Sequence, residues 1–460
     1  MSLPIELILE FLSRLPIEDL TRLSCASKYL YNSVHQNPQF GNSHLINYSQ
    51  KHPFLVFYIN RRTGDKPCLY KNLFHTRDIH DDHTDNYNLG FHKTMPYTNR
   101  GKYVGFCNGL VCFKQKNKGG MAFVFDVYNF ITRELLRIVP PFIHHRGNGY
   151  TLLSHGFGFD SLNNEYKLVL IVFILETRCP KCFVYTFGKK SSWKDFDFPD
   201  DYNFYPRPVN SELSATFTSY GGTGGGGGAL FWMTIDRRVI LLFDLHEDKF
   251  QYIRIPLESP VTSDTKLFEH KGFLGVAILE MKSPVVAGAT TSNAISRCAP
   301  TSTLEKVHLK ILKAYKDEQV WIKETFDLSP YSIPFSSNFR LVSFSDHVLL
   351  YWVDPKTFRF FNLHRKCLKV VRNIAACIFD KKVLLSDKAE DYWLNCEVGN
   401  ISSLKTLLPE RAQKSDRAGI DSIMKKCLQQ MWILQQPRTV GGVFTSFYKS
   451  KTNEHYFFDD

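Results

Sequence analysis

The feature that most constrains this chain is a strand pair that keeps returning. Phe123-Val-Phe-Asp126 followed by Ile138-Val-Pro-Pro141 is echoed by Leu241-Leu-Phe-Asp244 followed by Ile253-Arg-Ile-Pro256, and more loosely by Phe360-Phe-Asn362 followed by Leu368-Lys-Val-Val371. Asp244 lies 118 positions after Asp126, and Asn362 lies 118 after Asp244. Two fainter copies fall between them, over Cys182 to Pro199 and Val307 to Leu328, each with a tryptophan (Trp193, Trp321) after a polar turn. A lone hairpin cannot cover its own apolar face. Five such units at intervals of 50 to 68 residues therefore predict a radial array of small sheets, a β-propeller, in which each sheet covers the next and only short edges stay open.

Composition agrees with a sheet-rich body. Aromatic residues make up 14% of the 460, with 38 Phe and 22 Tyr, and these side chains suit pleated, half-buried surfaces. Short strand-like runs between turn residues extend from about residue 50 to about 395. The longest apolar run, Leu168 to Leu175, is long enough for a buried strand and too short for a membrane span. Eleven cysteines, an odd number without dense spacing, do not form a secreted disulfide framework and point to a reducing compartment. The formal charge is +12, yet basic doublets such as Arg61-Arg62 and Lys425-Lys426 never grow into the blocks that bind nucleic acid. They are expected to be solvated surface.

The first 45 or so residues obey a different period. Ile5, Ile8, Leu9 and Leu12 recur at helical spacing, with Glu6, Glu10 and Arg14 between them. Pro16 ends that helix and pre-sets the next, whose first turn carries Glu18 and Asp19 and whose buried face is expected to continue through Leu20, Leu23, Ala26 and Leu30. Three short helices in so few residues bury little apolar area by themselves, so the unit must lean on another surface. Glu6 and Glu10 without a basic leader argue against a secretory signal. Cytoplasm or nucleus is expected.

These residues carry a resemblance. Leu3-Pro4, the Leu12-to-Pro16 joint, Ser27-Lys28, and Pro38 with Phe40 resemble the F-box of plant F-box proteins, over about a tenth of the chain. The family's usual tryptophan two places after the lysine is Leu30 here, which removes an indole's contact area. Further on, Gly105-Phe-Cys-Asn-Gly-Leu-Val-Cys112, His155 to Val169, and Ala229-Leu-Phe-Trp232 with Ile240 to Pro256 resemble, in order, three motifs of the F-box-associated domain found behind plant F-boxes. In physical terms Asn108-Gly109 and Asn163-Asn164 are turn formers, Gly156 and Gly158 let strands approach, and Asp160 can close a turn through its side chain.

Motifs that could carry chemistry have plainer explanations. Gly221 to Gly228 satisfies a dinucleotide glycine pattern, but a strand follows where a helix N-terminus is needed, so an inter-blade loop is expected. Cys179-Pro-Lys-Cys182 has the spacing of half a zinc site without a second half, and reads as a loop with two free thiols. His75, His80 and His83 alternate with Asp78, Asp81, Asp82 and Asp85 in a stretch lacking a register to fix ligand geometry. No H-E-x-x-H or G-x-S-x-G occurs. Neither metal nor cofactor is expected.

The expected architecture is an α+β chain: a helical module over residues 1–48, a mainly β domain over 50–395, and a partly helical tail over 396–460, with Met281 to Thr303 as an exposed insertion. The resemblance implies a non-catalytic substrate receptor of an SCF-type ubiquitin ligase. Its helical module would dock on a Skp-type adaptor and, through it, a cullin, with Leu3, Pro4, Ile8, Leu12, Leu15, Pro16, Leu20 and Lys28 as framework or contact residues. The β domain would hold a target protein that the sequence does not identify. The alternative is a stand-alone β-propeller that binds a glycan or small molecule and keeps a degenerate F-box.

Overall fold

The computed structural model describes residues 4–52, 54–61, 68–72, 91–96, 101–116, 123–141, 149–188, 191–198, 213–219, 227–234, 237–256, 264–282, 302–314, 319–335, 339–344, 347–353, 357–372, 389–397, 400–402 and 404–407. The chain divides into a compact unit from Met1 to Ser415 and a second from Asp416 to Asp460. The second unit, with the helical stretch expected there, lies outside the described residues.

Four helices come first: α1 (Ile5–Leu12), α2 (Ile17–Ser24), α3 (Lys28–His35) and α4 (Pro38–Asn47). That is one more than the helical period predicts, because Asn37-Pro38 divides the last stretch. The Asn37 side chain accepts from the N–H groups of Gln39 and Phe40, and Pro38 occupies the first turn, where its missing N–H costs nothing. Ser27 caps α3 in the same manner by accepting from Leu30 N.

Strands follow to residue 397. In chain order they are β1 (Phe54–Arg61), β2 (Cys68–Asn72), β3 (Phe91–Pro96), β4 (Lys102–Cys107), β5 (Leu110–Lys116), β6 (Phe123–Asn129), β7 (Glu134–Ile138) and β8 (Tyr150–Asp160). Next come β9 (Glu165–Ile174), β10 (Cys179–Thr186), β11 (Ser192–Asp197), β12 (Leu213–Ser214), β13 (Thr216–Thr218), β14 (Ala229–Met233), β15 (Val239–Asp244) and β16 (Lys249–Arg254). The last are β17 (Asp264–His270), β18 (Phe273–Lys282), β19 (Thr303–Ala314), β20 (Val320–Asp327), β21 (Arg340–Phe344), β22 (His347–Val353), β23 (Thr357–Asn362), β24 (Cys367–Arg372) and β25 (Ala389–Glu397).

They form six sheets. Blade 1 has the order β25-β1-β2-β3, blade 2 is β4 to β7, blade 3 is β8 to β11 with β12 added beside β8, and blades 4, 5 and 6 are β13–β16, β17–β20 and β21–β24. The leading strands close a ring: β4 stands beside β8, β8 beside β13, β13 beside β17, β17 beside β21, β21 beside β25, and β25 beside β4. This is a six-bladed propeller. Each of the five predicted units is the outer hairpin of blades 2 to 6. Blade 1 is assembled from both ends of the propeller, with β1 antiparallel to β25 from Phe54 opposite Glu397 onward; its own outer hairpin is β2 with β3, whose strands are set apart by the long connection from Asn72 to Phe91.

Successive blades bury alternate side chains against one another. Leu168, Leu170 and Val172 of β9 pack towards blade 2 with Val104, Phe125 and Val127, while Val169 and Ile171 pack towards blade 4 with Leu230, Trp232 and Phe243. Both faces of the strand are thus covered, which explains the unbroken apolar run. Ala229 and Phe231 of β14 then face Val276 and Ile278 of blade 5. Gly156 and Gly158 permit this approach: a Cβ on Gly156 would stand 2.7 Å from the Ala215 Cβ, and one on Gly158 2.7 Å from both Leu245 and Phe217. Asn108 and Gly109 both have positive φ, at 44° and 78°, and make the two-residue turn that matches the twist of β4 and β5.

The repeat differs from the sequence alignment in one respect. Asp244 and Asn362 close the turns after β15 and β23 by accepting backbone N–H groups two or three residues on. In blade 2 that role belongs to Asn129, which accepts from Ile131 N and Thr132 N. Asp126 sits inside β6, where Arg137 donates to it at 2.8 and 2.9 Å and Gln115 donates as well. The equal 118-residue spacing therefore joins positions with different roles.

Candidate functional site

The helical module encloses a small core of Leu12, Ile17, Leu20, Val34 and Phe40, flanked by the partly buried Ile8, Leu9, Leu15 and Leu30. Leu30 thus keeps the packing role expected despite its smaller size. Two residues of this cluster come from elsewhere in the chain: Ile131 from the turn between β6 and β7, and Ile401 from the segment after β25.

Among the residues singled out in the sequence, Leu12 and Leu20 point into that core, and Ile8 and Leu15 pack at its margin. Pro4 and Lys28 are exposed, Pro16 is half-buried, and Leu3 lies outside the described residues. A second apolar set remains open to solvent: Leu7 is 57% exposed, Phe11 67%, Leu23 40% and Tyr29 61%. Leu7 and Phe11 are four residues apart and share one face of α1. The sequence does not separate them from Ile8 and Leu12, because six of the eight residues of α1 are apolar and the helix has two oily faces. Leu23 and Ala26, expected on the buried face of the second helix, are both exposed, and exposed large hydrophobics of this kind are a usual mark of a contact surface.

Residues 400–407 form a strap between this module and the blades. The Asn400 side chain donates to Asn108 O and to the Tyr166 hydroxyl, each at 2.9 Å, and its Oδ1 accepts from Ser402 N. The Asn129 amide donates to Asn400 O and Ser402 O, at 3.1 and 2.9 Å. Leu404 packs into the core between blades 2 and 3, with its N–H donated to Glu134 at 2.6 Å. Leu407 O accepts from Gly188 N at 3.0 Å. On the helical side, His35 Nδ1 donates to Ile401 O at 2.8 Å, and Nε2 meets Ser24 Oγ at 2.8 Å. Burial lowers the His35 pKa to about 4 against the opposing effect of the Ile401 carbonyl. The ring is therefore neutral at ordinary pH, with its Nδ1–H given to Ile401 O and its Nε2 facing the Ser24 hydroxyl, which also has Thr21 O within hydrogen-bond distance at 2.9 Å.

The other candidates resolve into structure. Cys179 and Cys182 lie on β10, on a strand and not in a loop, with Cys179 exposed and Cys182 fully buried. Three residues apart on a strand, they face opposite sides and cannot share a metal; burial also pushes the Cys182 thiol up. Among the described residues there is no group of three or more His, Cys, Asp or Glu placed to hold a metal. The His75–His83 stretch, residues 221–226 of the glycine run and residues 283–301 lie outside the described residues; the strands that flank the glycine run, β13 and β14, pair within blade 4, so the run joins two strands of one blade and not two blades as expected. No helix among the described residues is long and apolar enough to cross a membrane.

The architecture is thus a helical module with exposed apolar side chains, strapped to one end of a six-bladed propeller. Comparison with known proteins makes this specific. An F-box domain profile matches residues 1–39, and the profile of the F-box associated beta propeller domain matches residues 54–346. The chain belongs to the family of F-box proteins with an F-box associated beta propeller domain. Two Arabidopsis thaliana sequences that carry F-box protein names, At4g38870 and At5g42430, are 27% and 25% identical over 298 residues each. Those matches cover 62% and 61% of this chain, and the chain spans just 64% and 65% of those relatives. F-box protein DOR of the same plant is 24% identical over 71% of this chain and 75% of its own length. Among solved structures, a Lactobacillus plantarum protein has a TM-score of 0.38 at 11% identity, covering 75% of this chain and 99% of that one. The fucose-specific lectin from Aleuria aurantia has a TM-score of 0.36 at 7% identity, covering 69% and 89%. Scores this low contribute nothing to a functional assignment.

Proposed function

We propose that this protein is the substrate-recognition subunit of an SCF-type ubiquitin ligase. Its helical module seats on a Skp-type adaptor, which joins it to a cullin, and its propeller holds a target protein. The observation that carries this reading is the open apolar set Leu7, Phe11, Leu23 and Tyr29 on a module that belongs to the F-box domain family. The expected contact residues Pro4 and Lys28 are exposed on the same module. Ile8, Leu12, Leu15 and Leu20 then act as framework behind the surface, and Leu3-Pro4-Pro16 set the helix entries.

Strand direction assigns the two ends of the propeller. The turns 108–109, 130–133, 161–164, 187–191, 245–248 and 363–366 share the end that bears the strap and the helices. Long connections leave from both ends: β2 to β3 and β13 to β14 from the strap end, and β11 to β12, β16 to β17, β18 to β19 and β24 to β25 from the opposite end. Target recognition is assigned to that opposite end, where it does not compete with the adaptor. The chain contributes no catalytic side chain. It raises the effective concentration of a target lysine at the thioester of the conjugating enzyme, a gain that in favourable geometry reaches several kcal/mol.

The test is binding of the full chain to a Skp-type adaptor. The double variant Leu7→Asp/Phe11→Asp is expected to weaken binding by at least about a hundredfold, given two apolar anchors lost from one interface, with the helical circular dichroism unchanged. Unaltered affinity in that folded variant would overturn the assignment. Leu12→Asp does not serve this purpose, because a charge at a buried core position unfolds the module itself.

A further inference from the structure

The helical module borrows part of its core from the far end of the chain, and we infer that its folding is conditional on closure of the propeller ring. The juxtaposition that carries this is Ile401, 1% exposed, among Leu12, Ile17, Leu20, Val34 and Phe40. Ile401 follows β25, the strand that completes blade 1 by pairing with β1. β1 in turn begins directly after the helices, at Phe54. The helical module therefore sits on the seam of the ring, with one side of the seam leading into it and the other returning as the strap.

Three contacts make the return specific. His35, 4% exposed, has no water to turn to and finds its two partners in Ser24 of α2 and the carbonyl of Ile401. Without the strap its Nδ1–H is a buried donor with no acceptor, which is destabilising. Gly41 of α4 lies directly against Ser402: a Cβ there would stand 1.9 Å from Ser402 Oγ, and that hydroxyl would have to rotate away. The strap is itself held to blades 2 and 3 by Asn129, Glu134 and Tyr166, so its position relative to the helices is set by the assembled propeller. A core with so few buried side chains has little stability of its own, and losing Ile401 and the His35 partner removes a large share of it. An unclosed ring then has no ordered docking surface, and the adaptor contact is withheld from incompletely folded chains.

Hydrogen exchange on the full chain, read segment by segment, tests this without reference to any partner. In Ile401→Ala, amides of Ile17–Asn47 are expected to exchange roughly tenfold faster or more, as a buried apolar side chain is lost from a small core, while those of Ala229–Asp327 in blades 4 and 5 keep their rates. Asn400→Ala touches no helix but removes the strap's hold on Asn108 and Tyr166; it is expected to speed exchange in the same helices by about threefold to tenfold. Unchanged protection of Ile17–Asn47 in both variants would overturn the inference. So would loss of protection throughout the blades with the helices still protected, which would make the strap a propeller element alone.

Discussion

The helical module and the blades solve the same burial problem in opposite ways. Within the propeller an inner strand such as β9 is covered on both faces: Leu168 to Val172 are buried to the last side chain, three of them against blade 2 and two against blade 4. In α1 the face with Leu12 goes inward and the face with Leu7 and Phe11 stays open. The blades thus make their own stability from sheet-on-sheet contact, whereas the helices leave apolar area exposed and draw on Ile131 and Ile401 to compensate. Exposed apolar area and self-sufficiency trade against each other in so short a segment.

The comparison can be broken hardest from the propeller side. Trp232 is 1% exposed, lies between blades 3 and 4, and donates its indole N–H to His155 O at 3.2 Å. Trp232→Ala is expected to cost about 3–5 kcal/mol of propeller stability, read as a fall in thermal midpoint. Because the helices hang on the closed ring, their 222 nm signal should melt with the blades. Separate melting of intact helices at a higher temperature would contradict the dependence.

Acid should break the comparison from the helical side. His35 has its pKa lowered from 6.5 to about 4 by burial, and His44, in contact with Leu15 O, is lowered by burial too. The unfolded state then binds protons that the folded state does not, so stability is complete above pH 6.5 and is lost as pH falls through the window from 6.5 to 4. For His35 alone the span corresponds to roughly 3 kcal/mol. Helical segments are expected to lose exchange protection across that window before blades 4 and 5 do, and His35→Gln should flatten the dependence. A flat profile in the unaltered chain would remove His35 as a buried neutral ring.

Much of this division is legible in the sequence, and the parts that are not have physical reasons. The break in period near residue 50, the outer hairpins of blades 2 to 6 and the roles of Gly156, Gly158, Asn108-Gly109 and Asp160 all follow from local chemistry: alternation, steric room and positive φ. Blade 1 escapes because its outer hairpin, β2 with β3, is interrupted by the long connection between Asn72 and Phe91, and its inner pair, β25 and β1, is separated by nearly the whole propeller. The open face of α1 escapes because Ile5, Leu7, Ile8, Leu9, Phe11 and Leu12 give a helix that is apolar nearly all round, and periodicity then cannot say which side is inside. The strap escapes because Asn400-Ile401-Ser402 has one apolar residue between two polar ones, and nothing local marks that residue as part of a core formed by residues 12 to 40.

The smallest effect separates the two aspartates that equal spacing places in register. Asp244 serves as an acceptor for the N–H groups of His246 and Glu247, at 2.8 and 2.9 Å, and an asparagine presents the same oxygen, as Asn129 and Asn362 do in their own turns. Asp244→Asn keeps both acceptor contacts and loses their charge assistance, so it is expected to cost less than about 1 kcal/mol. Asp126 has its carboxylate buried inside β6 and takes both hydrogen bonds of a forked contact with Arg137, whose own side chain is half-exposed. Losing the charge there forfeits charge-assisted bonds, partly screened by solvent at the arginine, for about 1–2 kcal/mol. Urea unfolding of the two single variants checks the order, with Asp126→Asn the less stable. Equal loss from both would mean that the carboxylates do the same work and that the 118-residue spacing reflects a repeat in function as well as in position.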